Sequence, residues 1–286
     1  MDRLPTRGFR ERLHRMLAHV EEMRHRNGVR PFSHPMKVLL TILLLPLLAC
    51  CRGPELLHGR VTAELPHDPK CYTQGLEFHD GRLFESSGGY GSSTIREVDP
   101  ANGMVLRTRA LARNVFAEGI TLLHDELWIL TWHENTAYVF NLDDFSFLRS
   151  YKYTGEGWGL ANDGKQLVMS DGTHILKFID PENFRIVRTI EVTDRGRRVD
   201  QLNELEFADG AIYANVYLKD KIARISPNDG RITAWIALDG LRKRLPQPHD
   251  AEVMNGIARN PANGRLLVTG KNWPRMFEIE PVREGP

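Results

Sequence analysis

Glu118 is the residue of this sequence best placed to carry chemistry. It opens one of five short stretches that vary a single phrase: Gln74-Gly75-Leu76-Glu77-Phe78, Glu118-Gly119-Ile120-Thr121-Leu122, Trp158-Gly159-Leu160-Ala161-Asn162, Asn203-Glu204-Leu205-Glu206-Phe207 and Asn255-Gly256-Ile257-Ala258-Arg259. Four of the five first positions are polar (Gln74, Glu118, Asn203, Asn255), the fifth is Trp158, and Glu118 is the only carboxylate among them. Aromatic residues flank it, Phe116 just before and Trp132 beyond the next apolar run. A carboxylate desolvated by such neighbours titrates above its usual range, and can then both accept and return a proton near neutral pH. The same positions are poor in metal donors, since amides and an indole do not build a cage for a hard cation. His67, His79, His124, His133, His174 and His249 show no ligand spacing and no Cys-x-x-Cys pair occurs, so no catalytic metal is expected.

The elements that must position these residues are strands. Asp80-Gly81, Asp125, Asp163-Gly164, Asp209-Gly210 and Asn263-Gly264 each separate one apolar run from the next, where tight hairpin turns are favoured. A third run follows in every copy, and in the first four copies a further turn leads into a fourth. The copies start at 74, 118, 158, 203 and 255, with spacings of 44, 40, 45 and 52 residues that lie near the period of propeller blades. With no helical pattern between them, the sequence predicts an all-β fold, a five-bladed β-propeller of four-stranded antiparallel blades. The last copy lacks a fourth strand, which Arg60 to Leu65 can supply, closing the ring and pairing otherwise open edges. First strands line the channel of a propeller, so the five first positions should converge near its mouth. Trp128, Trp235 and Trp273 are assigned to packing between blades, and Arg195 to Arg198 and Arg242-Lys243-Arg244 to solvated loops.

Together these residues resemble the glutaminyl-peptide cyclotransferases of the plant and bacterial type, which are five-bladed propellers. The likeness covers roughly residues 60–281. It rests on Tyr72-Thr73-Gln74-Gly75-Leu76, Phe84-Glu85-Ser86-Ser87-Gly88-Gly89-Tyr90-Gly91, Phe116-Ala117-Glu118-Gly119-Ile120-Thr121, Leu130-Thr131-Trp132, Glu156-Gly157-Trp158-Gly159-Leu160, Leu202-Asn203-Glu204-Leu205-Glu206, Asn255-Gly256-Ile257-Ala258 and Thr269-Gly270-Lys271-Asn272-Trp273-Pro274. The resemblance implies cyclisation of an N-terminal glutamine to pyroglutamate with release of ammonia. It makes Glu118 the acid/base carboxylate, places Gln74, Asn203 and Lys271 among the polar groups of the pocket, and makes Tyr72, Phe116, Trp132 and Trp158 its aromatic wall. Tyr217 stands where the family usually carries Trp, which keeps an aromatic face and adds a hydroxyl. Asn255 joins the expected substrate contacts. No cofactor is required for this reaction, and a structural cation (calcium) held by backbone carbonyls on the propeller axis is compatible with it. Two other readings compete: a non-catalytic propeller that binds peptides or cell-envelope fragments, and a metal-dependent propeller lactonase.

At 286 residues and 41% hydrophobic the chain can bury a full core. Its formal charge of +1 hides an asymmetry: residues 1–49 hold nine Lys/Arg against four acids, a net of +5, which leaves the rest at −4. A mildly acidic body gives no electrostatic reason to expect nucleic acid as a partner. Residues 36–50 read as a signal segment, with a basic Lys37, an apolar run of about 12 residues and Leu47-Leu48-Ala49-Cys50 resembling a bacterial lipoprotein box. Cys50 would then be the lipidated residue, with a plain signal peptide or an uncleaved anchor as alternatives; all three export the body to the periplasm or cell envelope. Residues 1–35 are long for a secretory leader, which suggests that translation starts at Met36. The catalytic domain is expected over 57–286, as a monomer that a lipid on Cys50 would attach to the membrane. Export permits a disulfide between Cys51 and Cys71, though nothing in the spacing requires one.

Overall fold

Alternating apolar runs and Asp/Asn-Gly turns fold residues 53–283, the part of the chain that the structure (a computed structural model) describes, almost wholly into strands. The expected signal segment, Cys50 and the 1–35 extension lie outside the described residues. Strands β2 (Thr73–His79), β3 (Arg82–Ser87), β4 (Thr94–Val98) and β5 (Val105–Ala110) form an antiparallel sheet in chain order. β6 (Ala117–Leu123), β7 (Glu126–Thr131), β8 (Thr136–Asn141) and β9 (Phe147–Lys152) repeat it, as do β10 (Leu160–Asn162), β11 (Leu167–Met169), β12 (Ile175–Asp180) and β13 (Arg185–Glu191). Between this set and the next, β14 (Thr193–Asp194) and β15 (Arg197–Arg198) make a small exposed hairpin where a loop was expected.

The remaining strands join into one eight-stranded sheet. It comprises β16 (Leu202–Ala208), β17 (Ala211–Val216), β18 (Lys221–Ile225) and β19 (Ile232–Ala237), then β1 (Glu55–Pro66), and then β22 (Arg275–Val282), β21 (Leu266–Gly270) and β20 (Met254–Arg259). As expected, β1 runs antiparallel to β22, with Arg60 opposite Glu280 and Leu65 opposite Met276. It also starts earlier than expected, and Glu55 to His58 run parallel to β19 opposite Ala234 to Ala237. The strand therefore fuses two four-stranded sets instead of completing only the last.

The first strands of the sets pack side by side in a closed circuit, β2 on β6, β6 on β10, β10 on β16, β16 on β20 and β20 on β2. This is a propeller-like arrangement, and it explains the glycine that recurs at the second position of the phrase. A Cβ on Gly75 would strike the backbone of Ile120, one on Gly119 the backbone of Trp158 and Leu160, and one on Gly159 the carbonyl of Asn203. Apolar side chains fill the wedges between sets: Phe84 and Ile95 meet Ile120, Leu127, Ile129 and Phe140, and Trp128 and Leu130 meet Leu160, Leu167, Met169 and Ile179. Burial of this kind contributes roughly 25 cal/mol per Å² of apolar surface. Trp128 stacks on Tyr151 and Phe184, and Trp273 packs on Phe277, so both indoles belong to the packing as expected. The turn chemistry also holds where it was simplest. Asp80-Gly81 and Asp209-Gly210 have φ of 48° and 78°, and of 51° and 70°, the left-handed pair that a two-residue hairpin needs. Arg242 to Arg244 form a short 3-10 turn on the surface, with Arg244 paired to Glu64.

Candidate active site

Four of the five first strands share an irregularity at one place. The pairing register shifts between Thr73 and Gly75, Ala117 and Ile120, Leu202 and Leu205, and Met254 and Ile257. A β-bulge breaks the in–out alternation of a strand and re-aims a side chain, and the residues inside these shifts are Gln74, Glu118, Asn203 and Asn255. Serines hold two of the bulged backbones: Ser86 Oγ donates to the carbonyl of Glu118 and Ser170 Oγ to that of Asn203, each at 2.7 Å. In the third set Trp158 lies just ahead of β10, its N–H bonded to the carbonyl of Ser170 at 3.1 Å.

The side chains so aimed open on a cavity of about 330 Å3, lined by Tyr72, Gln74, Phe116, Glu118, Trp132, Trp158, Asn203, Tyr217 and Lys271. All the residues expected in the pocket line it except Asn255. That residue is fully buried and leans on β2, donating to the carbonyl of Thr73 and to Gln74 Oε1, both at 3.1 Å. Asn255 thus stands behind Gln74, and its expected substrate contact is replaced by a supporting one. Gln74 in turn donates from Nε2 to Glu118 Oε1 at 2.9 Å. The three amide and carboxylate groups form a relay that fixes where the carboxylate points.

The aromatic wall is nearly a closed ring. Phe116 meets Tyr72, Tyr90 and Trp132 with centroids 6.3, 5.4 and 5.5 Å away, Trp158 meets Tyr217 at 5.8 Å, and Lys271 Nζ lies 4.8 Å over Tyr72 and 5.7 Å over Tyr217. The gap between Trp132 and Trp158 is bridged by Glu156, whose Oε2 accepts from both indole N–H groups at 2.8 Å. Two other carboxylates do the same for the tyrosines: Tyr90 donates to Glu134 at 3.0 Å and Tyr72 to Glu252 at 3.2 Å.

Glu118 is only 5% exposed. Burial pushes its pKa well above the carboxylate range; the charge of Lys271 opposes that rise, and Glu156 and Glu134 add to it. Burial lowers the pKa of the Lys271 ammonium, which the charges of Glu118 and Glu252 resist. Among the described residues no ion pair closes on Glu118, and Gln74 holds Oε1 of a carboxylate that lines the cavity. Asn203 Oδ1 is buried without a hydrogen-bond partner, an acceptor in want of a donor.

With this geometry in hand, the likeness to known proteins is specific. A family model described as glutamine cyclotransferase matches residues 38–281. The chain belongs to the glutamine cyclotransferase family. It is 42% identical over 224 residues to a glutaminyl-peptide cyclotransferase of Arabidopsis thaliana, an alignment that covers 77% of this chain and 70% of that one. The crystal structure of Myxococcus xanthus glutaminyl cyclase superposes with a TM-score of 0.76 at 35% identity, covering 81% of this chain and all of that one.

Sequence reasoning missed Glu134, Glu156 and Glu252 as parts of this site. Glu156 sat two residues before Trp158 in a stretch already singled out, and that proximity was the one available signal. Two further groups of side chains converge elsewhere. His67, expected to have no metal-binding company, lies with Cys71 and Glu85, their donor atoms within 4.8 Å of one another. The three are already hydrogen-bonded, His67 Nε2 to Glu85 at 2.8 Å and Nδ1 to the carbonyl of Trp273 at 2.6 Å; Cys71 is fully buried and has no disulfide partner among the described residues, Cys51 lying outside them. At the opposite ends of the first strands, Glu77 and Glu206 line a second cavity of about 360 Å3.

Proposed function

We propose that Glu118 shuttles the proton in a glutaminyl-peptide cyclotransferase reaction run in this cavity. The protein converts an N-terminal glutamine of a peptide or protein to pyroglutamate with release of ammonia, as its family and its named relatives support. The α-amine attacks the γ-carbonyl carbon of the same residue, a C–N bond forms, and the C–N bond to the amide nitrogen breaks. Glu118 takes a proton from the attacking amine and returns it to the leaving nitrogen, which departs as ammonia; no water is consumed. Such acid/base assistance is typically worth about 10²–10⁴-fold, and a carboxylate with a raised pKa suits both halves of the exchange.

The hydrogen-bond pattern divides the remaining roles. Gln74 spends its amide on Glu118, which leaves Lys271 and the side-chain amide of Asn203 as donors for the developing oxyanion, each worth about 3 kcal/mol. Tyr72, Phe116, Trp132, Trp158 and Tyr217 hold the glutamine side chain folded on itself, where an intramolecular attack is strongly favoured. The observation that carries this reading is the placement of Glu118: buried, unpaired by any cation, oriented by an amide and facing an aromatic cavity.

We further propose that the sheets make up a five-bladed propeller spanning 57–286, that the body acts as an exported monomer of the periplasm or cell envelope, and that Cys50 carries a lipid. The reaction as drawn needs no cofactor, and an axial calcium, held by backbone carbonyls, would have a structural role. Incubating the purified protein with a Gln-initiated dipeptide, with and without EDTA, tests the central claim. Ammonia release that survives EDTA and vanishes in Glu118→Gln is the expected result. Release that persists undiminished in Glu118→Gln would sink the assignment.

A further inference from the structure

The polar tips of the aromatic wall are held by carboxylates, and each comes from a loop at the mouth of the pocket. Glu134 follows β7 and accepts from Tyr90; Glu156 follows β9 and accepts from Trp132 and Trp158; Glu252 precedes β20 and accepts from Tyr72. Glu252 is exposed, and Glu134 and Glu156 are half-buried, so all three charges face the solvent through which a peptide must enter. Each is close enough to the reacting groups to act on them, Glu134 and Glu156 on Glu118 and Glu252 on Lys271. The cations nearby do not cancel them. Lys271 sits 6% exposed in the depth of the pocket, Lys152 is turned to the carbonyl of Glu134 and the hydroxyl of Thr136, and His133 Nδ1 is 3.6 Å from Glu156.

We propose that this carboxylate collar makes the enzyme charge-selective, favouring peptides with Lys or Arg directly after the N-terminal glutamine and disfavouring those with Asp or Glu there. The inference rests on the reading that the pocket takes an N-terminal glutamine. Once that side chain fills the cavity, the rest of the peptide has to leave through the mouth, and its second residue lies among Glu134, Glu156 and Glu252. The carboxylates serve two purposes at once. They fix the rings, and they carry charge that the rings leave unneutralised.

The test compares ammonia release from the amides of Gln-Lys, Gln-Ala and Gln-Glu. At low ionic strength kcat/KM should rank in that order. The first should exceed the last by about tenfold, the size expected of two or three carboxylates within roughly 10 Å in a largely aqueous mouth. The difference should lie in KM and shrink in about 0.5 M salt, where the screening length falls to a few ångströms. In the double variant Glu134→Gln/Glu252→Gln, each new side chain still accepts from its tyrosine while the charge is gone, and the ratio should fall to within about twofold. A wild-type ratio within twofold at low salt, or a ratio unmoved by the double variant, overturns the proposal while leaving the cyclisation reading intact. No release from any of the three amides would overturn that reading, and this proposal with it.

Discussion

The two ends of the first strands use the same side chain for opposite purposes. At the end where the phrases begin, Glu118 lies inside a bulge, touches one amide and faces a cavity. Toward the other end, carboxylates are occupied by backbone. Glu77 Oε1 accepts from Leu122 N–H at 3.2 Å, Glu206 Oε1 accepts from Arg259 N–H at 2.9 Å, and Glu204 spans two strands, accepting from Leu76 at 3.1 Å and Ile257 at 2.8 Å. Burial raises the pKa of all four carboxyl groups. A raised pKa therefore does not set Glu118 apart in this protein, and neither does a cavity, since Glu77 and Glu206 line one too; its bulge and its aromatic surroundings do. Glu77 and Glu206 are staples between neighbouring first strands, while Glu204, at the second position that glycine holds in the other four phrases, ties β16 to β20 and across the ring to β2.

The contrast predicts a double dissociation. Glu118→Gln should lower kcat by about 10³-fold with a midpoint in urea unfolding no lower than that of the wild type, since the raised pKa shows that burial disfavours the charged form. Glu204→Ala, which strands two buried N–H groups, should cost roughly 3 kcal/mol of stability while the fraction that folds keeps a normal KM. Stability loss in the first, or selective activity loss in the second, would erase the distinction between the ends. Next in size is the bridge between the indoles. Glu156→Ala frees Trp132 and Trp158, and KM should rise about tenfold, the effect of one or two lost charge-assisted bonds. Glu156→Gln keeps an acceptor for both indoles and removes a charge that helps raise the Glu118 pKa. Its KM should stay near the wild-type value while the acid limb of kcat/KM, which falls as Glu118 is protonated, moves to lower pH.

The far end has a pH signature of its own. The Glu77 pKa is pushed up to about 8, chiefly by burial. The folded protein thus holds this proton longer than the unfolded chain, so the associated stability is full below the unfolded carboxylate range and is lost as pH rises through about 8. Unfolding midpoints measured from acidic to mildly alkaline pH should fall accordingly, and Glu77→Gln should flatten the fall and be the more stable protein at the alkaline end. The smallest effect is expected at Tyr217, whose ring packs on Trp158. Tyr217→Phe should change kcat/KM by less than about threefold, because the face contributes the contact.

Much of this was legible beforehand because it lies in strand periodicity. Turns at Asp-Gly, the recurring phrase and the first positions all have fixed spacing, and together they located Glu118, Gln74, Trp158 and Asn203; Tyr72, Phe116, Trp132, Tyr217 and Lys271 came with the resemblance to the family. The failures have a common cause in loops and rotations. Glu134, Glu156 and Glu252 reach the rim from three separate connections, and their convergence follows from closure of the strand circuit, which no local spacing encodes. Asn255 occupies the same phrase position as Gln74 yet points behind it, since Gly256 at φ 115° sets the local backbone differently. The length of β1 was misjudged for a related reason: Glu55 to His58 carry little alternation, and their pairing with β19 depends on where that distant edge comes to lie.

The repeated bulge also bears on how such a pocket can change over generations. Each bulge delivers its residue with the aim already set, so a single codon can exchange an amide for an acid or a ring without moving a strand. Duplicating one hairpin would copy the aiming device along with the fold. A lineage could then try new chemistry at the mouth while the staples at the far end keep the barrel of strands intact.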